Sequence, residues 1–143
     1  MLVLLNSYEL LPRYGYGAEV LYIGDTADRF LVLDRAKLND LNFFELSHGE
    51  LPDIVAYSKP KNWLYLIEAV YSSGPISENR LRELKRLTKD CTADIVYITA
   101  FLDQAKFRRW IKDIAWETEV WIAEAPDHLI HFNGEKFLGP HTM

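Results

Sequence analysis

Apolar residues along this chain of 143 residues fall into short blocks with two different spacings. Val20-Leu21-Tyr22-Ile23, stopped by Gly24-Asp25, reads as a strand, and Phe30-Leu31-Val32-Leu33 as a further short segment, extended or helical. The spacing predicts a helix from Arg35 to Phe44, capped by Asp34, with Ala36, Leu38, Leu41 and Phe44 as its apolar positions. Ile54-Val55-Ala56-Tyr57 and Trp63-Leu64-Tyr65-Leu66-Ile67, joined by the turn-rich stretch Ser58 to Asn62, read as a hairpin. Ser77 or Glu78 opens a second helix in which Leu81, Leu84 and Leu87 form one stripe and basic residues occupy the rest. Ile95 to Ile98 is continuously apolar, the pattern of a strand covered on both faces. A third helix is expected from about Gln104 to Ile114, capped by Asp103, with Phe107, Trp110, Ile111 and Ile114 inward. Glu119 to Ala123 and Leu129 to Phe132, the latter turning at Asn133-Gly134, read as two more strands. A hairpin followed by helix, strand, helix and strand specifies an α/β fold, a mixed central sheet flanked by helices.

Composition narrows this further. With 49% hydrophobic and 26% charged residues, and no repeat or Gly/Ser linker, residues 1–143 read as a single packed domain. The longest nearly unbroken apolar run, Ile95 to Leu102 with Thr99 inside it, falls short of the ~18 residues that span a bilayer. Met1 to Leu5 has no basic flank and soon meets Asn6, Ser7 and Glu9, so a secretory signal is not expected and the cytoplasm is. A lone cysteine, Cys91, closes no disulfide within the chain and reads as a small half-buried residue. The net charge of −5 argues against a nucleic-acid partner, but its distribution does not. Between Asn79 and Lys112 nine basic residues face four acids, a net +5 that leaves −10 for the remainder. Such a run is a solvated helix face unless a reaction centre lies beside it.

A candidate centre follows from hairpin register. If Tyr57 faces Leu64, Asp53 falls opposite Glu68, and cross-strand partners share a face with Cβ atoms ~5 Å apart. Two carboxylates that close repel unless one is protonated or a cation lies between them, and Mg²⁺ suits a site with few protein ligands. Spacing alone also describes two acids at solvated strand ends in another register.

Pro52-Asp53 on one strand, followed by an apolar strand carrying Glu68 in Ile67-Glu68-Ala69-Val70, resembles the PD-(D/E)xK nuclease core. The segments GDTADRF (24–30), LPDIVAY (51–57), NWLYLIEAV (62–70), SGPIS (73–77), ITAF (98–101), DIAWETEVWIAEAPDHLIHFNG (113–134) and FLGP (137–140) resemble the BsuBI/PstI restriction endonuclease family over about Gly24 to Pro140. That resemblance implies a restriction-endonuclease-like fold and a Mg²⁺-dependent type II endonuclease region that cuts both strands of a short palindrome in double-stranded DNA. It also implies an additional N-terminal helical domain, for which this chain has only some twenty residues before the likeness begins.

In such a core Asp53 and Glu68 hold the metal, and the Ala69 carbonyl supplies a further oxygen. The motif's third position, normally lysine, is Val70 here, and Lys85 or Arg80 of the following helix is the substitute cation. Lys85 can give up a proton and orient water, whereas Arg80 stays charged. Asp25 is a further candidate ligand, with a turn aspartate as its alternative. Arg80, Arg82, Lys106 and Arg109 are the expected DNA contacts. His48 reads as a loop residue, and His128 and His131 point to opposite faces of a strand, so they form no metal pair. Glu117 and Glu119, flanked by Trp116 and Trp121, read as a structural or dimer surface. Ser72 and Ser73 have no nucleophile-elbow context, which disfavours serine hydrolysis.

Cutting a palindrome implies a homodimer, expected to be weak here and to use Trp116, Trp121, Tyr14 and Tyr16; a separate specificity subunit is a further expected partner. The competing reading is a DNA-binding or regulatory relative with an impaired site. Val70 and the short N-terminal segment favour that one; the retained acids favour the enzyme.

Overall fold

The computed structural model describes residues 6–24, 30–43, 51–70 and 74–135. Seven strands, β1 (Glu19–Gly24), β2 (Phe30–Leu33), β3 (Ile54–Ser58), β4 (Trp63–Ala69), β5 (Asp94–Phe101), β6 (Glu119–Ile122) and β7 (Leu129–His131), build one sheet in the order β2-β1-β3-β4-β5-β6-β7. Four α-helices accompany it among the described residues: α1 (Leu11–Tyr14), α2 (Arg35–Asp40), α3 (Glu78–Leu87) and α4 (Gln104–Trp110). From β2 to β4 neighbouring strands run antiparallel, and β4, β5 and β6 run parallel, with β7 antiparallel at the far edge. The change of direction falls at β4 because a tight turn returns β3 into β4, whereas helices cross over between the parallel strands. The mixed α/β sheet expected from the pattern is the one found, and the segment left open as extended or helical is β2.

Alternation along β4 divides the core. Leu64 and Leu66 join Val55, Leu38 of α2 and Leu81 and Leu84 of α3 on one face. Tyr65, Ile67 and Ala69 join Ile54, Ile98 and Trp121 on the other, together with Leu10 and Leu11. Those two leucines sit where a π-helical turn (Asn6–Leu10) runs into α1, an element the hydrophobic pattern did not announce. A third cluster, Val70, Phe101, Ile114, Val120 and Ile122, packs against Phe107 and Trp110 of α4 on the same face as α3. In β1, Val20 faces Ala56 and Tyr22 faces Val55, leaving Leu21 as an extra residue, so Leu21 and Tyr22 both enter the first-face core.

Three expectations are corrected. The helix starting at Arg35 ends at Asp40, because Asn42 takes a left-handed φ of 58° that terminates it; Asp34 does cap it, accepting the Lys37 N–H at 3.1 Å, and Phe44 lies outside the described residues. The third helix stops at Trp110 and tightens into a 3₁₀ turn (Ile111–Asp113), which rotates Ile111 off the apolar stripe and leaves it exposed while Ile114 stays buried. Trp121 belongs to the core, fully buried with its indole N–H donated to the Pro126 carbonyl at 3.1 Å, so the four expected interface aromatics do not form one exposed set; Trp116 and Tyr16 are exposed. Cys91 is half-buried, as expected. No helix among the described residues is long and apolar enough to cross a membrane.

Candidate active site

The register of β3 with β4 pairs Ile54 with Ile67, Val55 with Leu66 and Tyr57 with Leu64. Extended by one residue, it sets Asp53 opposite Glu68, the juxtaposition expected from the hairpin. Asp53 Oδ2 accepts the Ala69 backbone N–H at 2.7 Å, which closes the pairing past the end of β3. A strand residue's N–H and C=O leave on the same side, so the Ala69 carbonyl also faces the Asp53 strand. On its other flank the Asp53 carbonyl accepts the N–H of Gly24, the last residue of β1, at 3.0 Å. Asp25 itself, with His48, Ser72 and Ser73, lies outside the described residues.

Both acids sit where ionisation is costly. Burial pushes the Glu68 carboxyl up to about 7; Arg80 opposes the rise and the charge of Asp53 adds to it. Asp53 is raised by burial too, against the pull of the Ala69 N–H and of Arg80. Two desolvated carboxylates served by one guanidinium leave the cluster short of positive charge. Their donor atoms are hard oxygens, the set a divalent ion such as Mg²⁺ prefers. Among the described residues no group of three or more His, Cys, Asp or Glu could hold a metal, and the oxygens there that could meet an ion beside Asp53 are these two carboxylates and the Ala69 carbonyl.

The cation that meets Glu68 is Arg80. Its Nη2 lies 3.1 Å from Glu68 Oε1 and 3.2 Å from the Leu51 carbonyl, and its Nη1 lies 3.1 Å from Glu83 Oε1. Lys85, the other expected substitute, is exposed on α3, about 140° around the helix from Arg80. The helix therefore turns it away from the side that reaches Glu68. Val70 cannot host the motif lysine: it is buried in the α4 cluster, with its N–H on the Ala100 carbonyl at 2.9 Å.

What brings Arg80 to the acids is a chain of contacts that the sequence signalled only faintly. Thr99, the one polar residue inside the apolar run of β5, stands beside Glu68 in the parallel register. Fully buried, it accepts the Ile76 N–H at 3.1 Å. Ser77 follows and caps α3 by accepting the Arg80 N–H at 3.2 Å, so Arg80 starts in the first turn, beside the C-terminal ends of β4 and β5. Glu83 and the Leu51 carbonyl complete the seat.

Of the expected DNA contacts, Arg82 and Arg109 are exposed and Lys106 is half-buried. Helices α3 and α4 cover the sheet face that Asp53 and Glu68 share, so the basic segment and the acids lie on one side of the molecule. Glu117 and Glu119 form a separate cluster. His131 Nδ1 lies 2.8 Å from Glu119 Oε2 and its Nε2 3.3 Å from Glu117 Oε2, while Glu117 Oε1 accepts the N–H groups of Gly134 at 2.6 Å and Glu135 at 3.2 Å. Glu117 also carries a left-handed φ of 62°. This arrangement ties the end of β7 to the start of β6.

A mixed sheet whose antiparallel half meets its parallel half at the strand bearing the second acid of a Pro-Asp and Glu pair defines a restriction-endonuclease-like domain. The chain belongs to the BsuBI/PstI restriction endonuclease family, whose domain profile matches residues 7–135. It is 47% identical over 133 residues to the type II restriction enzyme BsuBI of Bacillus subtilis, a match covering 93% of this chain and 42% of that protein. It is 35% identical to the type II restriction enzyme AplI of Arthrospira platensis, over 84% of this chain and 39% of the relative. The solved structure of SdaI restriction endonuclease superposes with a TM-score of 0.88 at 41% identity, covering 97% of this chain and 44% of that one. The chain thus spans less than half the length of the relatives it matches.

Proposed function

We propose that this domain is the catalytic portion of a Mg²⁺-dependent type II restriction endonuclease that hydrolyses phosphodiester bonds in double-stranded DNA. The observation that carries the reading is the Asp53 and Glu68 pair: two buried acids, opposite one another at the ends of adjacent strands, in a chain of a restriction endonuclease family. Asp53, Glu68 and the Ala69 carbonyl would hold the metal. Bound there, Mg²⁺ supplies a water of lowered pKa and positive charge for the phosphoryl oxygens.

The chain's own groups do the rest. Asp53 is kept in place by the Ala69 N–H, and Glu68 by Arg80, so both carboxylates are oriented before substrate arrives. Arg80 takes the place of the motif lysine as the local cation. Always protonated, it stabilises negative charge and does not accept a proton from water. The exposed Arg82 and Arg109, with Lys106, attract the DNA backbone to the side that carries the acids. For Asp25 the role of a further ligand rests on the sequence alone. A symmetric, weakly associated homodimer accounts for cutting two strands, with nicking outpacing double-strand cleavage at low protein concentration. A single observation, the burial of Val70 where a lysine is usual, favours instead a domain that binds DNA without cutting it.

Plasmid cleavage against a Mg²⁺ titration separates the two. Metal-dependent nicking that disappears in Asp53→Asn supports the nuclease; metal-independent binding without cleavage at any Mg²⁺ concentration supports the alternative.

A further inference from the structure

Arg80 has three partners, and they are unlike one another. Glu68 is an inner partner, its side chain 17% exposed, while Glu83 is an outer one at 53%. The Leu51 carbonyl lies between them in kind, a neutral acceptor that shares Nη2 with Glu68. A guanidinium offers five N–H groups in a planar fork, so losing one carboxylate still leaves it bonded at the other end.

Charge makes that property relevant. Asp53 and Glu68 carry −2 when ionised and Arg80 returns +1, so a divalent cation entering with Arg80 still on Glu68 would find two positive groups competing for one carboxylate. Like charges on a shared partner in a partly desolvated site repel strongly. The motif lysine of a nuclease core is fixed to the strand two residues past the glutamate. Arg80 instead reaches in from a helix on a long flexible stem, with Glu83 one helical turn further along α3 to hold it.

We infer that Arg80 is an exchangeable counter-ion: it neutralises Glu68 in the metal-free protein and passes to Glu83 and the Leu51 carbonyl when a divalent cation takes Glu68. The inference rests on the reading of Asp53 and Glu68 as a metal site. Glu83 is then a positioning residue, the mooring that keeps Arg80 beside the site after its release.

Calorimetric titration with Mg²⁺ and with Ca²⁺ at pH 8.5, where protons do not compete for Glu68, tests the exchange. Without its competitor, Arg80→Gln binds either ion about threefold to tenfold tighter while plasmid cleavage falls. Glu83→Gln removes the outer mooring and weakens metal binding about twofold to fivefold. Arg80→Lys, which keeps the competing charge without the fork that reaches Glu83, binds metal no more tightly than wild type, and tighter binding in that variant counts against the exchange. Unchanged or weaker metal binding in a folded Arg80→Gln protein overturns the proposal. Should that variant fail to fold, the surface change Glu83→Gln decides alone: weaker binding supports the exchange and equal binding refutes it. A wild-type chain that takes up neither ion removes the metal site itself, whereas a binding wild type with indifferent variants removes only the counter-ion.

Discussion

Asp53 and Glu68 at one place, Glu117 and Glu119 at another, are both pairs of carboxylates at strand ends, and their surroundings set them apart. Glu117 stands in solvent, where the N–H groups of Gly134 and Glu135 hold its carboxyl below the usual range and His131 adds to the effect. Glu119 is raised by burial, with His131 opposing the rise, and both acids face that one ring. Glu68 is buried, raised to about 7, and shares one guanidinium with the exposed Glu83. Glu117 and Glu119 are tied to backbone N–H groups and to His131 at the end of β7, whereas Asp53 and Glu68 are both raised by burial and have Arg80 as their nearby cation. The two pairs differ in partner as well as in burial: a guanidinium serves Glu68, while backbone N–H groups and an imidazole serve the solvent-facing Glu117.

Activity offers the widest gap between them. Asp53→Asn and Glu68→Gln are each expected to lower Mg²⁺-dependent plasmid cleavage on the order of 10³-fold, because the metal loses charge and a ligand. Glu119→Gln in the same assay stays within about threefold, since it reaches no reacting atom. Equal losses in both pairs would break the distinction.

Salt dependence tests the basic side of the first region. Reversing charge at Arg82, Lys106 and Arg109 together should reduce the slope of log K against log salt by about 0.9 for each phosphate contact removed. A slope unchanged by triple reversal would make α3 and α4 merely solvated helices.

The burial difference is visible in pH. Glu68 has a folded pKa near 7, above its unfolded value, so it contributes stability that is fully present at pH 4 and is lost as pH rises toward and through 7. Asp53, raised as well, works in the same direction. The metal-free protein should therefore lose on the order of 1–3 kcal/mol between pH 4.5 and pH 8, an amount that Glu68→Gln largely flattens. Added Mg²⁺ should restore stability above pH 7 in the wild type and not in the variant. Denaturant titrations at several pH values measure both.

The sequence revealed the scaffold of the first region more readily than its cation. Hairpin register was legible only as one of the pairings that two continuously apolar strands and the turn at Ser58 to Asn62 permit; the pairing of Tyr57 with Leu64 is the one found, and Asp53 opposite Glu68 follows from it by counting. Arg80 and Lys85 differ in chemistry but stood as equal candidates on one basic helix; the helix phase, set by the Ser77 cap and the Thr99 bond to Ile76, selects between them. The short N-terminal helix escaped because four residues with Pro12 in the first turn give no periodicity to read, although Leu10 and Leu11 fill the second face of the sheet. The long WETEVW to HFNG block carried much of the family resemblance, and its Glu117, Glu119 and His131 turn out to be a strand clasp.

That clasp carries the smallest expected effect, and it is separable from the site. Glu117 costs the chain a left-handed backbone, a conformation that glycine and asparagine adopt with less strain. Its carboxylate repays this by accepting two backbone N–H groups past the end of β7 and by facing His131. Glu117→Gly removes the acceptor and relieves the strain; Glu117→Ala removes the acceptor and keeps the strain. If the carboxylate is the clasp, both variants melt below wild type, with alanine the lower, and hydrogen exchange quickens at Gly134 and Glu135 in each. Glycine at or above wild-type stability would mean that the backbone strain outweighs the clasp. Neither change should alter any Mg²⁺ binding that depends on Asp53 and Glu68, and a loss there would couple the two pairs.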